Sequence, residues 1–180
     1  MKKIQILLTT IVLTLGIATS SIANFKDGFD AFVKGDYKTA FNEFRPLAEQ
    51  GDLKAQFALG NMYDNGWGVT QNHKAAVKWY RKAAEQGSPA GQFYLGAKYA
   101  NGTGVLKDYK EAFKWYQKSA KQGLAEAEFR LGLSYILGVG VLKDLSKAKY
   151  WIKKAYENPK VGTTKEDVEK AWNDFELWKY

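Results

Sequence analysis

Residues 95–123 read LGAKYANGTGVLKDYKEAFKWYQKSAKQG, and the spacing within them decides the architecture of the chain. Phe93, Leu95, Gly96 and Tyr99 fall within about two helical turns ahead of Asn101-Gly102-Thr103-Gly104, and Ala112, Trp115, Tyr116 and Ser119 recur at threes and fours after it. The stretch therefore predicts a helix, a glycine turn and a second helix. Gly102 and Gly104 supply the positive φ that lets the chain leave the first helix. Asp108 stands where a carboxylate accepts the free N–H groups of a starting helix. Gly96 is the anomaly, because a glycine inside a helix costs about 1 kcal/mol relative to alanine. Its presence predicts a neighbouring helix packed too closely to admit a Cβ.

The same pattern extends outward at a fixed interval. Gly60, Gly96 and Gly132 are 36 residues apart, as are Leu59, Leu95 and Leu131, then Tyr63, Tyr99 and Tyr135, and then Trp79, Trp115 and Trp151. The glycine pairs Gly66/Gly68, Gly102/Gly104 and Gly138/Gly140 keep that interval, as do Ala76, Ala112 and Ala148, and Asn72, Asp108 and Asp144 share the cap position. A period of this size is the mark of supersecondary units that stack. Trp79, Trp115 and Trp151, which alone would invite a ligand platform, read as core because they recur in register.

These residues, Leu-Gly-x-x-Tyr, then Gly-x-Gly-Val, then Lys-Ala or Glu-Ala, then Trp-Tyr-x-Lys-Ala and a closing Gly, resemble the Sel1-like repeat of the tetratricopeptide-like superfamily. Three units carry the resemblance, at 52–87, 88–123 and 124–158; in the third, Ile152 follows the tryptophan and Pro159 stands where Gly87 and Gly123 close the others. Ahead of them Gly28, Gly35-Asp36-Tyr37, Ala40, Phe44 and Leu47 predict a shorter tetratricopeptide-like unit over 24–51 without the Gly-x-Gly-Val insertion. Beyond them, 159–180 is predicted to be a capping helix, with Thr164 and Asp167 as its capping box and Val168, Ala171, Trp172, Phe175 and Trp178 on one face. A terminal unit needs such a cover for its apolar face. The resemblance implies an all-α, right-handed superhelical solenoid of stacked antiparallel helix pairs.

The first 23 residues read differently. Lys2 and Lys3 precede a largely apolar run from Ile4 to Ile17, and Ser21 and Ala23 place small side chains before Asn24. That is the layout of a secretory signal peptide cleaved after Ala23, giving a periplasmic or secreted product with no stable membrane insertion. The run is 14 residues long, short of the roughly 20 that span a bilayer. Loss of two lysines lowers the formal charge from +8 to +6. The lysines are dispersed and accompany no nucleic-acid motif, so a basic surface for solubility is the reading and nucleic acid is not an expected partner.

The residue inventory restricts chemistry. The chain has one histidine and no cysteine, which leaves no ligand set for zinc and no histidine–nucleophile pair in a serine elbow. Gly102-Thr103-Gly104 follows no predicted strand and precedes no Gly-Lys-Ser/Thr, so it is not a phosphate loop. No catalytic residue, metal or cofactor is assigned, and the chain is expected not to be an enzyme. Some exported cysteine-rich relatives of the Sel1-like group are associated with β-lactam binding or hydrolysis; this alternative stays open, although the paired cysteines of those relatives are missing here.

The resemblance implies that first helices line a concave groove that holds a peptide or protein. Residues that differ between units at one equivalent position are free to meet a ligand. This selects Lys54, Asn61, Asp64 and Asn65 in the first full unit and Asn101 in the second, together with Trp67, whose counterparts are Thr103 and Val139. The groove is expected to be polar at its N-terminal end, small at Ala97 and Ala100, and apolar at Leu133, Ile136 and Leu137, with Trp172 and Phe175 covering the apolar end.

Overall fold

The structure, a computed structural model, describes residues 24–159 and 165–179. The predicted signal peptide and Thr164 lie outside them. Among the described residues there are nine α-helices: α1 (Phe25–Val33), α2 (Tyr37–Glu49), α3 (Leu53–Asn65), α4 (His73–Glu85), α5 (Pro89–Asn101), α6 (Tyr109–Lys121), α7 (Ala125–Leu137), α8 (Leu145–Glu157) and α9 (Lys165–Asp174), followed by a 3-10 turn at Leu177–Lys179. Each helix packs on its neighbours in sequence, giving four stacked pairs with α9 and the 3-10 turn laid against α8. No described helix is long and apolar enough to cross a membrane.

Helix starts follow from side-chain caps. Asp36, Asp52, Asn72, Ser88, Asp108 and Asp144 each accept a backbone N–H from the first turn that follows. The bonds given by Thr39 hold the Asp36 carboxyl below the usual carboxylate range, and the Lys147 N–H does the same for Asp144. Both folded values are depressed, so the caps contribute above the ordinary carboxylate range and weaken as pH falls through the lowered values.

The close approach predicted at the helical glycines comes from within each pair. A Cβ on Gly60 would lie 2.5 Å from the Tyr80 ring, one on Gly96 2.9 Å from the Tyr116 ring, and one on Gly132 2.6 Å from Ile152 Cδ1. The second helix thus presses a large side chain onto bare backbone of the first. Gly104 has a different neighbour. Its φ is +76°, and a Cβ would overlap the backbone carbonyl of His73 at the start of the preceding unit's second helix; Gly68 and Gly140 meet Tyr37 and Tyr109 in the same way. Each glycine turn therefore docks backbone to backbone on the unit before it.

A polar ladder completes the seams between units. Gln86 Nε2 donates to Gln56 Oε1 at 2.7 Å and to the Gly51 carbonyl, while Gln56 Nε2 donates to the Ala48 carbonyl. Gln122, Gln92 and Ala84 repeat this one unit later, with 2.8 Å between the two side chains. At the last seam the pair becomes Asn158 and Glu128, at 3.1 Å, and Lys154 Nζ lies 3.2 Å from Glu128 Oε1. A fully buried carboxylate has thus replaced a glutamine and drawn in a lysine. Lys154→Met is expected to cost about 2 kcal/mol, since it strips a buried charge of its counter-ion at a site where the lysine itself is partly solvated. Glu128→Gln is expected to be neutral or stabilising, because its amide can reach the Ala120 carbonyl as the earlier units do. Urea unfolding of the two single variants and the double variant checks both statements; the lysine effect should largely vanish in the glutamine background.

The C-terminal cap departs from the predicted single face. The α-helix ends at Asp174, and Glu176 takes φ +47°, so Phe175 and Trp178 do not continue the stripe begun by Val168 and Ala171. Leu177 turns inward and is fully buried, whereas Phe175 and Trp178 stand exposed. Trp172 does pack on the C-terminal core with Leu133 and Ile136, but Leu137 remains 63% exposed.

Candidate functional site: the first-helix face

The first helices α1, α3, α5 and α7 share one surface of the stack. At its N-terminal end lies a cavity of about 300 Å³ lined by Phe25, Phe29 and Phe32 of α1, Phe44 of α2, and Leu53, Lys54, Phe57, Ala58 and Asn61 of α3, with Ser88 at its edge. This corrects the expected grading: the N-terminal end is largely apolar, with Lys54, Asn61 and Ser88 as the polar side chains of its lining. Phe25, Phe29 and Phe32 come from the shorter first unit, where no 36-residue counterpart marks them out, whereas Phe57 recurs as Phe93 and Phe129. The signal available in the sequence was the helical spacing of Phe25, Phe29 and Phe32 next to a unit boundary.

Aromatic rings carry the surface onward. Phe57 lies 6.0 Å from Tyr80 and 5.5 Å from Tyr94, Tyr80 and Tyr94 stack at 5.4 Å, and Phe93 links Tyr94 to Tyr116 at 5.4 and 5.8 Å. Phe29 is 51% and Tyr94 38% exposed, so the strip offers ring surface to solvent across three units. Burial pushes the Tyr116 phenol up to about 12 and raises Tyr80 further still, so both stay neutral hydrogen-bonding groups.

The sequence-selected residues divide into two sets. Lys54 and Asn61 line the cavity; Lys54 Nζ sits 5.9 Å from the centre of the Phe25 ring, and Asn61 Oδ1 accepts from the Tyr80 hydroxyl at 2.8 Å. Asn101 is exposed at the end of α5, and Asn65, also exposed, donates to the Asn61 carbonyl in its own helix. Asp64 accepts from His73 Nδ1 of its own unit at 2.7 Å and from Lys98 Nζ of the next. Trp67 stacks on Tyr37 at 5.6 Å and meets Phe32 edge-on at 5.3 Å, filling the joint between the first two units. Among the recurring tryptophans, Trp115 is buried and Trp79 and Trp151 are half-buried, each with the lysine three residues on lying over its ring.

Among the described residues no three histidine, cysteine or acidic side chains come together as a metal site. A second, more polar cavity of about 600 Å³ lies at the other end, between α8 and the cap, around Lys149, Tyr156, Trp172 and Trp178.

Stacked antiparallel helix pairs with an interlocking glycine turn and an aromatic inner face define a helical-repeat protein. The chain belongs to the Sel1 repeat family, whose model matches residues 53–88, 89–124 and 125–159. Among solved structures it is similar to a Sel1 repeat protein from Oxalobacter formigenes, at 35% identity over 86% of this chain and 60% of that one, with a TM-score of 0.76. It is also similar to a protective antigen present in uropathogenic Escherichia coli strains that displays an SLR fold, at 35% identity over 83% of this chain and 33% of that one, TM-score 0.74. Helicobacter pylori cysteine rich protein B matches at 25% identity over 76% of this chain and 94% of its own, TM-score 0.57. A curated relative, an exopolysaccharide production negative regulator of Rhizobium leguminosarum bv. viciae, is 44% identical over 48 residues, which are 27% of this chain and 18% of that protein. The chain thus spans less than two thirds of the first two structures and under a fifth of the curated relative.

Proposed function

We propose that this protein is an exported, non-catalytic scaffold that binds a peptide or protein segment along its first-helix face. The observation that carries the reading is the aromatic strip from Phe29 through Phe57 to Tyr94 and Phe93, which a repeat stack does not need to leave in contact with water. Rigid rings on packed helices offer contact area at little cost in side-chain entropy, which is what a binding surface requires.

Selection of displayed peptides on the immobilised chain tests the reading. Selected peptides should lose about tenfold or more in affinity for Phe29→Glu or Tyr94→Ala and bind Lys78→Glu, an exposed second-helix variant, unchanged. Equal binding by all three variants would place the site elsewhere. For the export component, N-terminal sequencing of the envelope or medium product should begin at Asn24; recovery of an intact Met1 terminus there removes it.

A further inference from the structure

The cavity at the N-terminal end of the first-helix face also constrains the chemistry of its ligand. Its walls are carbon, contributed by Phe25, Phe29, Phe32, Phe44 and Phe57. Three side chains supply the polar groups at its edge. Lys54 pairs with no carboxylate among the described residues, and its only contact of note is the face of Phe25. Asn61 Oδ1 accepts from the Tyr80 hydroxyl, and the amide N–H groups of Asn61 are oriented away from that bond as donors. Ser88 Oγ accepts the Gly91 N–H at 3.1 Å, which leaves its hydroxyl hydrogen. Asn61 and Ser88 therefore keep hydrogens to donate, and Lys54 brings a full positive charge to an otherwise apolar lining.

The complement of such a site is an acceptor-rich anion attached to a large apolar group. A volume of about 300 Å³ holds one large side chain, and it does not hold a helix, whose diameter is about 10–12 Å. Resting on the peptide-binding reading above, we propose that this cavity takes the free C-terminus of a polypeptide ending in a large apolar residue. The terminal side chain enters the phenylalanine cavity, the α-carboxylate meets Lys54 Nζ, and the peptide carbonyl before it accepts from Asn61. The remainder of the peptide then runs along the ring strip toward Tyr94.

Fluorescence anisotropy with a labelled hexapeptide, Gly-Ser-Gly-Ser-Ala-Phe, tests this in three forms: the free acid, its C-terminal amide, and a free acid ending in Ser. The Phe free acid is expected to bind about tenfold or more tighter than either of the others, since a charge-assisted bond is lost with the amide and the anchor is lost with Ser. Lys54→Met should bring the free acid down to the level of the amide and leave the amide unchanged, and added salt should narrow the gap in the native protein. Equal binding of acid and amide overturns the carboxylate assignment while leaving the peptide groove standing. Binding by no form overturns the assignment too, and peptide selection on the Phe29 and Tyr94 variants then decides the groove separately. Displacement of the peptide by decanoate at lower concentration than by unlabelled peptide would give the cavity to an acyl chain instead.

Discussion

Gly140→Ala is expected to destabilise the array by roughly 2 to 5 kcal/mol, a large share of the 5–15 kcal/mol that typically holds a domain together. Two costs combine at this position. Its φ of +75° lies in the left-handed region, where a Cβ crowds the following carbonyl at about 1–2 kcal/mol. The added methyl group would also overlap the carbonyl of Tyr109, the first residue of α6, which is backbone and has no rotamer to change. Either the turn lifts away from the preceding unit or the start of α6 shifts, and overpacking of that kind costs about 1–3 kcal/mol. Gly138, two residues earlier in the same turn, separates the terms. Its φ is +67°, but a Cβ there lies 3.5 Å from Lys143, an ordinary contact, so Gly138→Ala should show the backbone cost alone. Urea unfolding followed by far-UV circular dichroism compares the two. A Gly140→Ala midpoint no lower than that of Gly138→Ala would refute the docking of the turn on the preceding unit.

Tyr80→Ala should cost about 3 to 5 kcal/mol, because its ring is fully buried against Gly60 and its hydroxyl donates to Asn61. The sharper expectation concerns Gly60→Ala, whose effect should change sign with the residue at position 80. In the native background the new Cβ would sit 2.5 Å from the Tyr80 ring, and the pair of helices must spread, at about 1–3 kcal/mol. With Tyr80 already alanine the ring is gone, and replacing a mid-helix glycine by alanine should gain about 1 kcal/mol. A double-mutant cycle by chemical denaturation measures the coupling. If Gly60→Ala is equally destabilising in both backgrounds, the glycine has some reason for being there other than the ring of Tyr80.

Those two predictions mark how far the residues alone could lead. Recurrence at 36 residues made the helix pairs, the cap residues and the helical glycines legible, because a repeat writes the same physical requirement three times. It also flagged Trp79, Trp115 and Trp151 as packing residues, and all three are at least half-buried. Gln56/Gln92/Glu128 and Gln86/Gln122/Asn158 keep the same interval and form the ladder between units. Their pairing was not evident, since a period shows that positions are equivalent and does not show which positions touch.

The candidate site was legible only in part. Choosing residues that vary between units found Lys54 and Asn61, which line the cavity. The same rule also selected Asp64 and Trp67, which the fold uses to join neighbouring units, Asp64 through Lys98 and Trp67 through Tyr37 and Phe32. A joint against a non-identical neighbour varies for the same reason that a ligand contact varies, so variation alone does not separate them. Comparing repeats with one another was also blind to Phe25, Phe29 and Phe32 of the first unit, which stand in the apolar wall.

By itself the sequence determined the all-helical repeat architecture and the placement of turns and caps, both of which follow from local spacing and residue type. Only the tertiary structure decided which side chains the turns and glycines pack against, where the last helix stops, and that the N-terminal end of the first-helix face is a phenylalanine-lined cavity carrying one lysine. These depend on which surfaces from different units are brought together, and spacing along one chain does not encode the shape of the space left between them.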